Sequence, residues 1–326
     1  MDIRRQELCE LMTQNRMVTK AVSRSQDIEF SSLCATVATC ERKELDSDKI
    51  AYATQLIRKN RFLGSEFLPG SRMVLSTCLK MEPDEETLIN RVINIDKMLM
   101  KEMLPSHHLS LTAMMIARAN LDESRDPEIV KGIGEQYKVL RERFPFLVSD
   151  NDCCAAAMAV LDGKDADKFG DEMEASLQKL RKHALSKKVL IPLAQLCALS
   201  KMSVEEKTER FRTMLEMLED ANIPVGTEDY DFAAIGALAM ASHDLERSVK
   251  NVRDILGYIN EHQNLHRFSR SIRNRRRTLY AIFLELAALA EETEDPSEKY
   301  KIKMFRVSAV TAALVNDVTR YLDGMY

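Results

Sequence analysis

Hydrophobic positions fall into two alternating kinds of segment along the chain. The first kind is short, rich in alanine and apolar on most faces. It recurs at Met73 to Leu79, Leu109 to Ala117, Cys153 to Leu161, Leu190 to Leu199, Phe232 to Ala241 and Leu279 to Ala290. The second kind is longer and amphipathic. Phe211, Met214, Leu215 and Leu218 stand at i, i+3, i+4 and i+7 with Arg210, Arg212 and Glu216 opposite, which is one face of a helix. Val252, Ile255, Leu256 and Ile259 repeat the pattern, as do Leu177 with Leu180 and Tyr137 with Leu140.

Polar junctions separate the segments and read as helix starts. They are Asp46-Ser47-Asp48, Glu82-Pro83-Asp84, Asp126-Pro127-Glu128, Asp162 to Asp165, Ser203-Val204-Glu205-Glu206, Ser242-His243-Asp244 and Asp295-Pro296-Ser297. Asp126 and Asp295 are expected to cap, with Pro127 and Pro296 in the first helical position, where a missing N–H is harmless. Ser203 and Glu206 have the spacing of a capping box. A second loop recurs with an apolar residue before a hydroxyl, at Ser65, Ser106, Ser149, Ser186, Thr227 and Ser269. These hydroxyl positions are about 40 residues apart and read as caps of the next helix.

The predicted unit is a helical hairpin of about 40 residues, the repeat length of HEAT and armadillo arrays. A helix apolar on all sides belongs inside a stack, because one hairpin cannot cover it. The expected fold is all-α, with stacked antiparallel hairpins in an α/α superhelix or solenoid. One domain is expected over residues 1–326. It comprises an N-terminal cap helix in 1–30, six to seven hairpins in 31–300 and a C-terminal cap helix in 301–326. Leu8, Leu11, Val18 and Val22 are the expected inner stripe of the first helix.

Composition agrees with this architecture. The chain has 326 residues but only 10 Gly and 8 Pro, too few for the many tight turns of a β sandwich or barrel. It has no Trp and 18 Met, and Met fills irregular gaps between helices. The net charge is −4, so any polyanionic partner needs a local patch. Seven cysteines, none in Cys-x-x-Cys, sit in apolar runs and read as small buried hydrophobes of a reducing cytoplasm. The charged start Met1 to Glu7 does not read as a signal peptide, and no apolar run reaches spanning length.

Taken together, the chain resembles a bacterial family known as domain of unknown function 4003. The resemblance rests on Leu109 to Ala117, Phe144-Pro145-Phe146-Leu147-Val148-Ser149, Leu196-Cys197-Ala198-Leu199-Ser200 and the stretch from Phe232 to Ile259. It implies an all-helical cytoplasmic protein and carries no activity and no site residues.

Candidate chemistry is sparse. Gly132-Ile133-Gly134 is a lone Gly-x-Gly without a preceding strand, and no phosphate-loop, nucleophile-elbow or His-Glu-x-x-His motif occurs. No cofactor is expected. His262 and His266, at i and i+4, form a weak metal-ligand pair, set against a solvated helix end. The sharpest anomaly is a cluster of six arginines in 11 residues: Arg267, Arg270, Arg273, Arg275, Arg276 and Arg277. At the start of a helix these cations oppose the dipole and call for anions. Internal acids can supply them, with Glu228, Asp229, Asp231, Asp244 and Glu246 as candidates. An external phosphate, a nucleic-acid backbone or an acidic peptide can do so too. Tyr230 and Tyr137 are possible aromatic contacts, with Tyr137 more naturally in the core. Met98, Met100, Met103, Met114 and Met115 read as core packing before they read as a peptide groove.

Three functional readings follow. The first is a non-enzymatic binding or scaffold protein that recognises a protein or peptide partner, with no membrane role. The second is a phosphoanion or nucleic-acid-backbone binder acting through Arg267 to Arg277. The third is a hydrolase-type enzyme whose site is assembled from several repeats.

Overall fold

The computed structural model describes residues 1–23, 28–59, 69–103, 106, 108–119, 122–181, 186–262 and 274–323. Among the described residues there are fifteen α-helices, three short 3-10 turns and no strand. In chain order the helices are α1 (Ile3–Ser23), α2 (Ile28–Cys40), α3 (Ser47–Lys59), α4 (Pro69–Lys80) and α5 (Glu85–Glu102). There follow α6 (Leu109–Ala119), α7 (Asp126–Arg143), α8 (Cys153–Leu161), α9 (Ala166–Leu180) and α10 (Ile191–Leu199). The last five are α11 (Val204–Asp220), α12 (Asp229–Ala241), α13 (Leu245–His262), α14 (Asn274–Glu292) and α15 (Pro296–Asp323).

The chain divides into two compact units. One comprises Met1–Leu45 with Ala175–Leu314, the other Asp46–Glu174 with Val315–Tyr326. In the second unit α4, α6 and α8 pack in one row and α3, α5 and α7 in another. In the first unit one row holds α10, α12, α14 and α2, and the other holds α11, α13 and α1. The tightest pairs join an amphipathic helix to the apolar helix that follows it, as α5 with α6, α7 with α8, α11 with α12 and α13 with α14.

Burial explains the rows. Every residue from Tyr230 to Ala241 in α12 is buried. Such a helix needs neighbours on all sides. Gly236 lets α10 approach closely, since a Cβ there would lie 2.3 Å from Leu193 Cδ1. In α13 only Ser248, Val249, Val252, Ile255, Leu256 and Ile259 are buried, one stripe of the helix. Phe211 of α11 and Phe232 of α12 meet edge to face, 5.9 Å between centroids.

Most helix starts fall at the polar junctions, with some changes of cap. Asp84 accepts from Thr87 N, Ser203 from Glu206 N, Asp244 from Arg247 N and Asp295 from Ser297 N. Asp126 does not cap α7. A 3-10 turn capped by Asp122 precedes that helix, and Asp126 instead takes two hydrogen bonds from Arg91. Ser149 and Ser186 cap short 3-10 turns ahead of α8 and α10. Thr227 is bypassed, because the α12 cap falls on Glu228, whose N–H donates to Asp231. Ser65 and Ser269 lie outside the described residues.

The segment expected as an N-terminal cap forms α1, which packs against α2, α13 and α14. Its buried face is rotated from the expected stripe. Arg5, Leu8, Cys9, Met12, Asn15 and Thr19 are buried, whereas Leu11, Val18 and Val22 are only partly so. Asn15 earns its place by three hydrogen bonds: its amide donates to Thr39 Oγ1 and the Lys43 carbonyl, and its oxygen accepts from Leu45 N. Arg5 and Glu285 of α14 are both fully buried. Arg5 Nε and Nη2 grip the two Glu285 oxygens at 2.5 and 2.9 Å, and Nη1 reaches Glu292 at 2.5 Å. Asn251 of α13 donates to Glu285 Oε1 at 3.0 Å. Burial pushes the Glu285 carboxyl up, against the pull of Arg5.

Removing one partner of a buried pair strands the other charge. Arg5→Met is therefore expected to cost about 3–5 kcal/mol in denaturant unfolding. The double variant Arg5→Met/Glu285→Leu should recover most of that loss. A double variant as unstable as the single one would contradict this account of the contact.

Candidate functional site

The arginine cluster is described only in part. Arg267, Arg270 and Arg273 lie outside the described residues, as does His266. The remaining three stand in the first turn of α14 and point to different surroundings. Arg275 is exposed. Arg276 is 3 % exposed and stacks its guanidinium over the Tyr230 ring, 4.3 Å from the centroid. Its Nε lies 3.9 Å from a Glu29 carboxylate oxygen. Arg277 donates to Asn260 Oδ1 at 2.8 Å. Of the acids considered as internal partners, Asp231 feels the charge of Arg276. Burial nevertheless pushes its carboxyl up to about 6, because desolvation outweighs the nearby cation and the Glu228 N–H. Asp244 serves the start of α13.

Of the other sequence candidates, His262 is exposed, whereas the tyrosine, methionine and cysteine candidates are buried or partly buried. His262 places Nδ1 2.9 Å from the Tyr258 carbonyl and stacks on the Tyr258 ring at 3.8 Å. Among the described residues no group of three or more His, Cys, Asp or Glu side chains is arranged to hold a metal ion. Tyr137 is buried and donates to Asp150 at 2.8 Å. Met103 and Met114 are buried, and Met98, Met100 and Met115 partly so. None of the seven cysteines forms a disulfide, and all are buried. Burial pushes the Cys9 and Cys40 thiols up to about 12. Thr112 Oγ1 lies 3.1 Å from both the Cys153 and Cys154 sulfurs. No helix among the described residues is long and apolar enough to cross a membrane.

Two features went unmarked in the sequence. One is the turn after α7. The Phe144 carbonyl accepts from Leu147 N and Val148 N, both at 3.1 Å. Pro145 follows it, and Phe146 takes φ +70°. Proline at the second position and positive φ at the third define a type II turn, whose third position favours glycine. Phe144 and Val148 are buried on either side, whereas Phe146 is 99 % exposed. The sequence signal was available: a proline followed by phenylalanine where such a turn asks for glycine.

The other is a cleft of about 540 Å³ in the first unit. Arg4 of α1, Arg247 and Asn251 of α13, and Glu292 of α14 line it. Asp244 and Glu294, just before α13 and α15, and Glu298 in the first turn of α15 line it as well. Leu289 and Ile302 supply apolar surface. His243 contacts Glu298 across the rim. These residues come from four helices and two junctions far apart in the chain, so no single motif announces them.

Because the native Asp231 holds a proton up to about pH 6, its ionisation opposes folding as pH rises from the ordinary carboxylate range through 6. The stability of the wild type relative to Asp231→Asn should therefore fall between pH 4 and pH 7, to be read by denaturant unfolding at each pH. An unchanged difference would contradict the assigned burial. Gly226→Ala should displace the same carboxylate, since the added Cβ would lie 1.7 Å from Asp231 Oδ2. A variant as stable as the wild type in thermal unfolding would contradict that close approach.

No curated protein and no solved structure matches the chain. One family does: residues 17–313, nearly the whole chain, match protein of unknown function (DUF4003), and the chain belongs to that family.

Proposed function

We propose that this is a non-enzymatic, cytoplasmic helical-repeat protein that binds a protein partner, and that Phe146 is an anchor of the contact. The paired rows of helices in each unit support reading the array as an α/α solenoid of the HEAT or armadillo kind. Seven cysteines without a disulfide support a reducing compartment.

The observation that carries the reading is Phe146. A bulky residue in the left-handed region costs on the order of 1–3 kcal/mol, and here the side chain that causes the strain covers nothing. Glycine would fit the turn better. The flanking buried Phe144 and Val148 and the fixed φ of Pro145 hold the backbone beneath the ring and display it outward. An exposed aromatic on a fixed backbone suits a binding hot spot, since the backbone part of its ordering cost is met in advance. Among the described members of the cluster the anion-binding reading draws on exposed Arg275 and on the donors Arg277 does not give to Asn260, because Arg276 is buried.

The test has two parts. Phe146→Gly should leave stability unchanged or raise it by up to about 1 kcal/mol, because relief of strain offsets the added freedom of the unfolded chain. A loss larger than that would assign the ring to the fold and overturn the reading. A photo-crosslinking residue at position 146 should then join one partner in cells. That partner, purified, should bind Phe146→Ala about tenfold or more weakly than the wild type. Equal binding would also overturn it.

A further inference from the structure

We infer that the cleft of the first unit binds a zwitterion: a free amino acid or a short peptide with both ends uncapped. The carboxylate end is prepared by an imbalance among neighbouring charges. Three guanidinium groups surround Glu292. Arg5 takes Oε1 at 2.5 Å, while Arg4 and Arg247 stand back at 3.7 and 3.6 Å. Those distances exceed hydrogen-bond length. Arg4 comes only slightly nearer to Glu291, at 3.5 Å, because Arg42 already grips both Glu291 oxygens at 2.8 and 2.9 Å. Arg4 and Arg247 are 40 % and 61 % exposed and line the same cleft. Their forks therefore keep donors for one further carboxylate, the geometry that guanidinium groups recognise best.

The opposite charge lines the same cavity. Glu294, and the oxygens of Asp244 and Glu298 not already taken by the Arg247 N–H and the His243 ring, offer acceptors to an ammonium group, which has three donors to place. The Leu289 and Ile302 side chains suit an aliphatic side chain, and the Asn251 amide suits a peptide group. The volume of about 540 Å³ falls in the ordinary range for small-ligand sites. Charge of both signs sets the specificity. A simple polyanion such as phosphate meets the acids, and a polyamine meets the arginines, so only a ligand carrying both ends is matched. This site is independent of Phe146, which belongs to the other unit.

The experiment titrates the full chain calorimetrically with the dipeptide Leu-Leu, its N-acetyl form and its C-terminal amide. The free dipeptide is expected to bind with a dissociation constant near or below about 1 mM. Capping either end should weaken it about tenfold or more. Arg247→Gln should weaken the free dipeptide to a similar extent while its thermal unfolding stays that of the wild type. Inorganic phosphate and spermidine should not compete. No heat of binding at about 10 mM dipeptide would overturn the proposal. So would capped forms that bind equally well, an Arg247→Gln variant that binds unchanged, or displacement by phosphate or spermidine.

Discussion

A helix that is apolar around its whole circumference must be covered on every side, and the architecture follows from that requirement. In the first unit α12 lies between α10 and α14 with α11 against it, and every residue from Tyr230 to Ala241 is withdrawn from water. The same demand then falls on α14, where Leu279 to Leu284 and Leu286 to Ala288 are buried. The chain meets it with its own beginning: α2 joins the row beside α14, and α1 joins the other row beside α13. The Arg5–Glu285 pair fixes that docking. Withdrawing two charges from water is expensive, and is tolerable only when both carboxylate oxygens and the guanidinium donors are engaged. Here Glu285 is held by Arg5 and Asn251, and Arg5 by Glu285, Glu292 and Asp2.

This requirement explains what was legible in the sequence. The alanine-rich runs and amphipathic stripes are local signals, so the all-helical fold, the pairing of neighbouring helices and most helix starts could be read directly. The N-terminal helices were harder. In α2 the sequence Ile28–Cys40 mixes Ser, Thr and Cys with its apolar residues and does not look like an interior helix. It is one nonetheless, because Thr36 and Thr39 return their hydroxyls to the Ser32 and Ala35 carbonyls, so burial leaves them satisfied. In α1 the buried face carries Arg5, Asn15 and Thr19, whose partners lie on other helices. A hydropathy stripe cannot find a face whose fitness depends on distant partners.

The candidate sites divide along the same line. The arginine cluster was conspicuous as a run of like charge, yet its described members differ: Arg276 lies inside against Tyr230, and Arg275 is exposed. Charge along a sequence does not tell which way each residue of a helix turn faces. Phe146 was hidden by the opposite difficulty. Phe146 stands within the Phe144 to Ser149 motif, but only the backbone angle distinguishes a strained, displayed ring from an ordinary loop aromatic. The cleft draws Arg4, Arg247, Glu292 and Glu298 from four helices, and only the packing of α1 beside α13 and α14 gathers its first three. Thus the docking that covers α14 also forms the cleft.

Native-state hydrogen exchange tests that dependence most directly. If the N-terminal hairpin is an integral member of the first unit, amides of α2 and α14 exchange together, at the rate of the most protected residues of α12. In Arg5→Met they should lose protection together, while α6 and α8 of the second unit keep theirs. Early exchange of α2 in the wild type, with α14 still protected, would contradict the account.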